Sequence, residues 1–299
     1  MSTAVFTPGS SPPYAHGLRS DAVRERLSVF GLSLPALVLI GLFLVLPTIW
    51  LFVLSFVAED GWSLVHYQRM IDEPAYAAVF ETTFRVSLTV TLLVILLGYP
   101  TAYALSLLPP FWAAVGQACI LVPFWTSLLV RTYAWLVLLQ RRGTINTALQ
   151  NIGLIDQPLR FANNELAVVI GMVHIMLPFF ILPLYASLKT IDPNLLRASA
   201  SLGASPARAF RDVTLPLSLP GFAAGVILTF VLCLGFYVTP QVLGGGRVTM
   251  ISMKIEQNIS IYFDWGAASS LGVVLLVLVA AALGVAALAG RRFGPRSAS

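Results

Sequence analysis

Nucleotide hydrolysis, metal chemistry and nucleophilic catalysis each require particular residues at particular spacings. A phosphate-cradling G-x-x-x-x-G-K-[ST] loop needs a Gly-Lys pair. The two lysines, Lys189 and Lys254, follow Leu188 and Met253 instead, so the chain is not itself a P-loop ATPase. No H-E-x-x-H zinc motif occurs, His16, His66 and His174 are isolated, and nothing favours a Ser-His pair. Cys119 and Cys233 both fall within apolar runs, which argues against a disulfide framework or a thiolate metal site. Gly244-Gly245-Gly246 has the composition of an anion-binding nest, but its place after an apolar run makes a turn the simpler reading. What remains is a set of ionisable residues inside apolar stretches, Arg131 and His174 foremost, and they direct attention to the elements that hold them.

Those elements are hydrophobic to a degree that soluble domains are not. Of 299 residues, 58% are hydrophobic and only 10% charged, against about 25% charged in an ordinary soluble domain. Mean hydropathy is +0.85. Disorder needs the opposite balance. The net charge of +5 is not gathered into the basic stripe that nucleic acid requires, so no nucleic-acid partner is expected. Six apolar stretches reach the roughly 20 residues needed to cross a bilayer: Phe30–Val57, Val86–Leu108, Trp112–Leu138, Leu166–Leu188, Leu219–Thr239 and Ala267–Gly290. None alternates with period two, so the expectation is an all-α, polytopic bundle of six membrane helices. Residues 1–29 read as a flexible tail, 30–57 as a first, retained membrane helix, 82–290 as the core of five helices, and 291–299 as a second tail.

Orientation follows from lysine and arginine alone. With six spans both termini share a side, and that side holds Arg19, Arg24, Arg26, Lys189, Arg197, Arg208, Arg211, Arg291, Arg292 and Arg296. The other side holds Arg69, Arg141, Arg142, Arg160, Arg247 and Lys254. Both termini and the 189–218 loop are therefore read as cytoplasmic. Trp62, Tyr133, Trp135, Tyr262 and Trp265 fall near the outer interface, as aromatic anchors do. Arg131 and His174 then lie roughly 10 and 12 Å below that interface at 1.5 Å per helical residue. Two readings stand: both line an outward vestibule, or Arg131 snorkels and His174 bonds a neighbouring helix. Arg85, nearer the surface, reads as a snorkelling residue.

Among the connections, residues 189–219 have an architecture of their own. Asp192-Pro193 is a helix cap followed by the favoured first residue. Leu195, Ala198, Ser199 and Leu202 share one face of the short helix, and Gly203 ends it. Ser205-Pro206 repeats the start signal for a second short helix carrying Ala207 and Phe210, and Pro216 and Pro220 bracket re-entry into the membrane. This is a helix, a glycine bend and a helix.

The stretch LLRASASLGASPARAFRDVTLPLSLPG, Leu195–Gly221, resembles the cytoplasmic EAA loop of ABC-importer permeases of the type I fold. Gly203 and Leu215-Pro216 match that pattern, while Arg197-Ala198-Ser199 occupy the Glu-Ala-Ala positions. RTYAW (Arg131–Trp135), GTIN (Gly143–Asn146), MLPFFILPLYASLKTID (Met176–Asp192) and FYVTPQVLGG (Phe236–Gly245) are similar to the spermidine/putrescine branch of those permeases. The resemblance implies a loop that docks into a groove on a cytosolic ATP-binding cassette subunit through Arg197, Ala198, Ser199, Gly203, Ala207, Phe210, Leu215 and Pro216. It implies a second permease subunit, a different chain, a periplasmic solute-binding protein, and residence in the bacterial inner membrane. No cofactor is expected on this chain, because ATP is hydrolysed by the partner.

The expected function is thus ATP-driven, binding-protein-dependent import of polyamines by alternating access, without enzymatic activity of its own. Arg131, His174, Phe236 and Tyr237 are candidates for the translocation pathway, the aromatic pair by cation–π attraction or merely as packing. Arg131 would suit an anion or an iron chelate better. A gradient-driven secondary transporter is the alternative class, but it predicts membrane-embedded acids and repeated halves. The six spans as drawn contain no Asp or Glu. Pro100, Pro123, Pro178 and Pro183 are read as kinks or hinges. Gly221-x-x-x-Gly225 and Ala282-x-x-x-Ala286-x-x-x-Gly290 are read as close-packing faces.

Overall fold

The computed structural model describes residues 31, 33–58 and 61–293. The expected first tail, residues 1–29, and residues 294–299 of the expected second tail, 291–299, lie outside the described residues, with His16, Arg19, Arg24, Arg26 and Arg296. So do the side chains of Ala286, Arg291 and Arg292 and the packing around Gly290. The chain divides into two compact units, Met1–Val53 and Leu54–Ser299. The first carries all but the last residue of helix α1 (Ser33–Leu54), which has apolar residues on every side. Phe43 and Trp50 are among its many exposed large side chains. A helix apolar all round is stable only in an apolar surrounding, as the sequence anticipates for a first span.

The second unit opens on a two-residue ladder, β1 (Val57–Ala58) against β2 (Gly61–Trp62), and the amphipathic helix α2 (Val65–Asp72). Helix α3 (Pro74–Leu107) is the longest element, at 34 residues. It begins twelve residues before the expected Val86, because Glu81 and Arg85 mask its apolar character in sequence. Arg85, read from sequence as a snorkelling residue, is held by two acids. It meets Glu165 with both Nε (3.1 Å) and Nη2 (2.9 Å) and Glu81 with Nη1 (3.0 Å). The longer helix therefore does carry an acid.

The expected third span, Trp112–Leu138, is not one helix. Helix α4 (Pro110–Leu121) passes into a 3₁₀ turn at Val122–Trp125, and α5 (Leu128–Leu139) leaves at 96°. Pro123 has no N–H to donate, and Thr126 turns its hydroxyl to the Pro123 carbonyl at 2.6 Å, completing the stop. Among the described residues five helices are long and apolar enough to cross a bilayer, and this bent pair, counted as one broken span, makes a sixth.

Helix α6 (Thr144–Asn151) follows, then α7 (Glu165–Lys189), the axis of the bundle. Asn164 caps α7 by accepting the Ala167 N–H at 2.9 Å, and Glu165 and Lys189 place opposite charges at the ends the helix dipole favours. Helix α8 is Pro193–Ser201. The expected second short helix is instead the first turn of α9 (Pro206–Leu234), continuous through a π-helical turn at Phe210–Thr214. Pro216 and Pro220 sit within it. Beyond it come α10 (Val238–Leu243), α11 (Ile251–Ser260) and α12 (Trp265–Phe293). Helices α2, α6 and α11 lie between the expected spans, and α10 starts at the end of one.

The core forms where α7 lies between α3 and α9. Val86, Val90 and Val94 of α3 are inaccessible, as are Met172, Phe180 and Leu184 of α7. A methyl group on Gly221 would meet Ser187 and the Pro183 carbonyl, and one on Gly225 would lie 2.9 Å from Phe180. The Gly221-x-x-x-Gly225 face is therefore packing within this chain. Pro178 and Pro183 leave α7 continuous, because the flanking helices hold it. The Asp264 side chain fastens α2 to α12. It accepts the Ala267 N–H at 2.8 Å and Arg69 Nη1 at 3.3 Å, while the 2.7 Å bond to Glu73 holds the Arg69 guanidinium above its ordinary pKa.

Candidate functional site: the bent loop and the two cavities beyond it

The bend forms as its residues dictate. Asp192 Oδ1 accepts the Asn194 N–H at 2.9 Å, and Ser205 accepts from Arg208 at 3.4 Å. Gly203 takes φ +81°. The Ala204 N–H bonds the Ser199 carbonyl at 3.0 Å and the Gly203 N–H the Ala200 carbonyl at 2.9 Å, the paired closure of a glycine-terminated helix. Around it the surface is open. Arg197, Ala198 and Ala207 are exposed, Ser199 is half-buried, and Leu202 at the apex is 89% exposed. Large apolar side chains in solvent at the tip of a rigid bend suit a groove on another protein.

Phe210, grouped with these residues in the sequence, faces the other way. Its ring is edge-on to Tyr103 at 5.1 Å and to Tyr99 at 6.0 Å, both on α3. Tyr99 also bonds Ser218 at 3.0 Å and meets Phe222, which is edge-on to Phe180 at 5.8 Å. An aromatic file thus runs from the first turns of α9 to the most buried ring of α7. Leu215 and Pro216 are exposed on the flank of α9. Tyr99 and Tyr103 were not anticipated, although their four-residue spacing places them on one helix face. Lys189 ties the loop's start to the end of α3 through a 2.9 Å bond to the Ser106 carbonyl.

Arg131 and His174 do come together. Both line a cavity of about 210 Å³ at the elbow of the broken span, with Thr101, Cys119, Pro123 and Pro178 among its walls. His174 is nine residues into α7, roughly 13 Å from its end at 1.5 Å per residue, so the cavity opens at membrane depth. Trp135 Nε1 donates to His174 Nδ1 at 3.1 Å, and because an indole N–H can only donate, the ring proton is left on Nε2. Trp135 is therefore a partner of His174 and not an interface anchor, while Trp62, Tyr133, Tyr262 and Trp265 are exposed. Arg131 Nε is buried without a hydrogen-bond partner. Among the described residues the cavity wall holds no carboxylate.

Phe236 and Tyr237 are not part of that cavity. They follow the end of α9, where Ser252 Oγ donates to the Phe236 carbonyl at 2.7 Å. Tyr237 lines a separate cavity of about 250 Å³ with Ser252, Ile255, Glu256, Ile259 and Ser260. Glu256 was missed in the sequence, where one acid in a half-buried helix gives no local signal.

Membrane helices bent around a largely apolar cavity that holds Arg131 and His174, joined to an exposed helix-bend-helix loop, have the form of a membrane transport component. Residues 14–295 match the binding-protein-dependent transport system inner membrane components, and the chain belongs to that family. It is 33% identical over 244 residues to the spermidine/putrescine transport system permease protein PotB of Haemophilus influenzae, a match covering 80% of this chain and 85% of that one. It is 34% identical over 245 residues to PotB of Escherichia coli K12, covering 79% and 89%. The fold matches a chain of a bacterial alginate ABC transporter with a TM-score of 0.76 at 18% identity, over 92% of this chain and 98% of that chain. The family sets aside a gradient-driven secondary transporter.

Proposed function

We propose that this chain is a permease subunit of a polyamine importer, moving spermidine- or putrescine-like cations inward by alternating access. The observation that carries the reading is sequence identity to spermidine/putrescine permeases sustained over four-fifths of the chain. In this reading the bend around Gly203 docks on a cytosolic ATPase through Arg197, Ala198, Ser199 and Ala207. Leu215 and Pro216 flank that surface, and Phe210 carries its movement into α3. ATP is hydrolysed by that partner and no cofactor is held here. A periplasmic binding protein delivers the solute, and a second, different permease chain completes the pathway. Both termini face the cytoplasm.

Arg131 and His174 line the path at the elbow. Their cavity offers donors and no carboxylate, so cation recognition belongs elsewhere on this chain or on the companion permease. Reconstitution of the complete importer in vesicles tests the assignment. ATP-dependent uptake of labelled putrescine or spermidine is expected. Uptake of sulfate or an iron chelate in their place would overturn it.

A further inference from the structure

We infer that Glu256 and Tyr237 form an amine-binding subsite at the cargo-entry end of this chain; the inference rests on the polyamine reading above and assigns its recognition chemistry. Among the described residues the carboxylates are otherwise accounted for. Glu73 and Asp264 hold Arg69, Glu81 and Glu165 hold Arg85, Asp212 pairs with Arg211, and Asp192 caps α8. Asp72 and Asp156 are exposed to solvent. Glu256 is half-buried, with neither an ion pair nor a hydrogen bond. A carboxylate withdrawn from water gains from a cation.

The cation is not supplied by its neighbour. Lys254 is two positions away on α11, a spacing that puts side chains on different faces. Its Nζ lies over the rings of Tyr76 at 5.4 Å and Tyr262 at 5.2 Å. The same cavity is lined by Tyr237, whose ring attracts an ammonium group, and by Ser252 and Ser260, each four residues from Glu256 and so on its face of α11. Acid, aromatic ring and hydroxyl around about 250 Å³ make a receptor for a primary amine on a short aliphatic arm. Its place fits the role. Helix α9 spans 29 residues from the bent loop to Leu234, roughly 43 Å at 1.5 Å per residue, so the cavity lies at the far end from the ATPase-facing loop.

The test uses the complete importer in proteoliposomes and labelled putrescine. Loss of one charged hydrogen bond predicts that Glu256→Gln lowers the uptake rate about tenfold or more. Glu256→Asp restores most of it, and Tyr237→Phe keeps what Tyr237→Ala loses. In the unmutated complex, carbodiimide coupling of labelled putrescine marks the peptide containing Glu256, a readout independent of how any variant folds. Wild-type rates in Glu256→Gln, equal losses in the Gln and Asp variants of an intact complex, or no label on that peptide would each overturn the subsite while leaving polyamine import standing. A wild-type importer that takes up neither putrescine nor spermidine removes the polyamine reading, and the subsite with it.

Discussion

Phe210 lies edge-on to Tyr103, ring centroids 5.1 Å apart and planes inclined at 72°. The contact joins the first turns of α9, directly after the bend, to the final turns of α3. An edge-to-face pair contributes about 0.5–1.5 kcal/mol beyond its buried area. That is enough to move two helix ends together and too little to hold the fold.

Phe210→Ala is therefore expected to leave the importer assembled but slipping. ATP hydrolysis continues while solute moved per ATP falls severalfold, and Phe210→Tyr retains coupling. Parallel measurement of phosphate release and uptake on one vesicle preparation checks this. An unchanged ratio in the alanine variant would remove Phe210 from the transmission path.

Gly203 is constrained by backbone and not by space. Its φ is +81°, yet an added Cβ would meet nothing within 4 Å. A left-handed conformation costs an ordinary residue about 1–2 kcal/mol, and asparagine less. Gly203→Val should weaken co-purification of the ATPase by roughly tenfold at that cost, whereas Gly203→Asn should keep most of it. Equal retention by both variants would show that the bend does not set the docking geometry.

Gly98 and Gly225 press on Phe180 from two sides and differ in what they touch. A methyl at Gly98 would lie 2.5 Å from Phe180 Cδ1, a side-chain atom; one at Gly225 would also lie 2.9 Å from the Phe180 carbonyl oxygen. Both Gly→Ala changes should lower thermal stability in detergent by about 1–3 kcal/mol, the usual cost of overpacking. Adding Phe180→Leu should relieve Gly98→Ala and not Gly225→Ala. Thermal unfolding of the four variants decides it, and rescue of both would refute the backbone clash.

Ala207 is exposed one turn past the bend. In a Cys119→Ser background, a cysteine introduced at Ala207 should resist membrane-impermeant maleimide on intact cells and react once they are permeabilised. Labelling from outside would place the loop in the wrong compartment.

What the sequence made legible was whatever local chemistry decides. Asp192-Pro193, Gly203 and Ser205-Pro206 act within a few residues, and the bend formed where they stand. The elbow at Thr126–Ser127 was hidden, since hydropathy stays high across it. Pro123 there is the same residue type as Pro178, which leaves α7 unbroken between two packed neighbours. Trp135 read as an anchor because only tertiary contact with His174 distinguishes a hydrogen-bonded indole from one at the lipid surface. Phe210 sat among docking residues in the chain order, and its turn toward α3 depends on Tyr99 and Tyr103, about a hundred positions earlier. Glu256 required the fold, which alone brings Tyr237 to it.

The right-angled elbow of the broken span has a consequence for the surrounding bilayer. Ser127 opens α5 without a side-chain cap, so the first-turn amides of Leu128 and Leu129 have no partner inside the helix. Hydrocarbon cannot satisfy such groups. This flank must be wetted or sheathed by another polypeptide, and acyl tails are kept away from it. The importer therefore carries into the membrane, on its own backbone, a strip that lipid alone cannot cover.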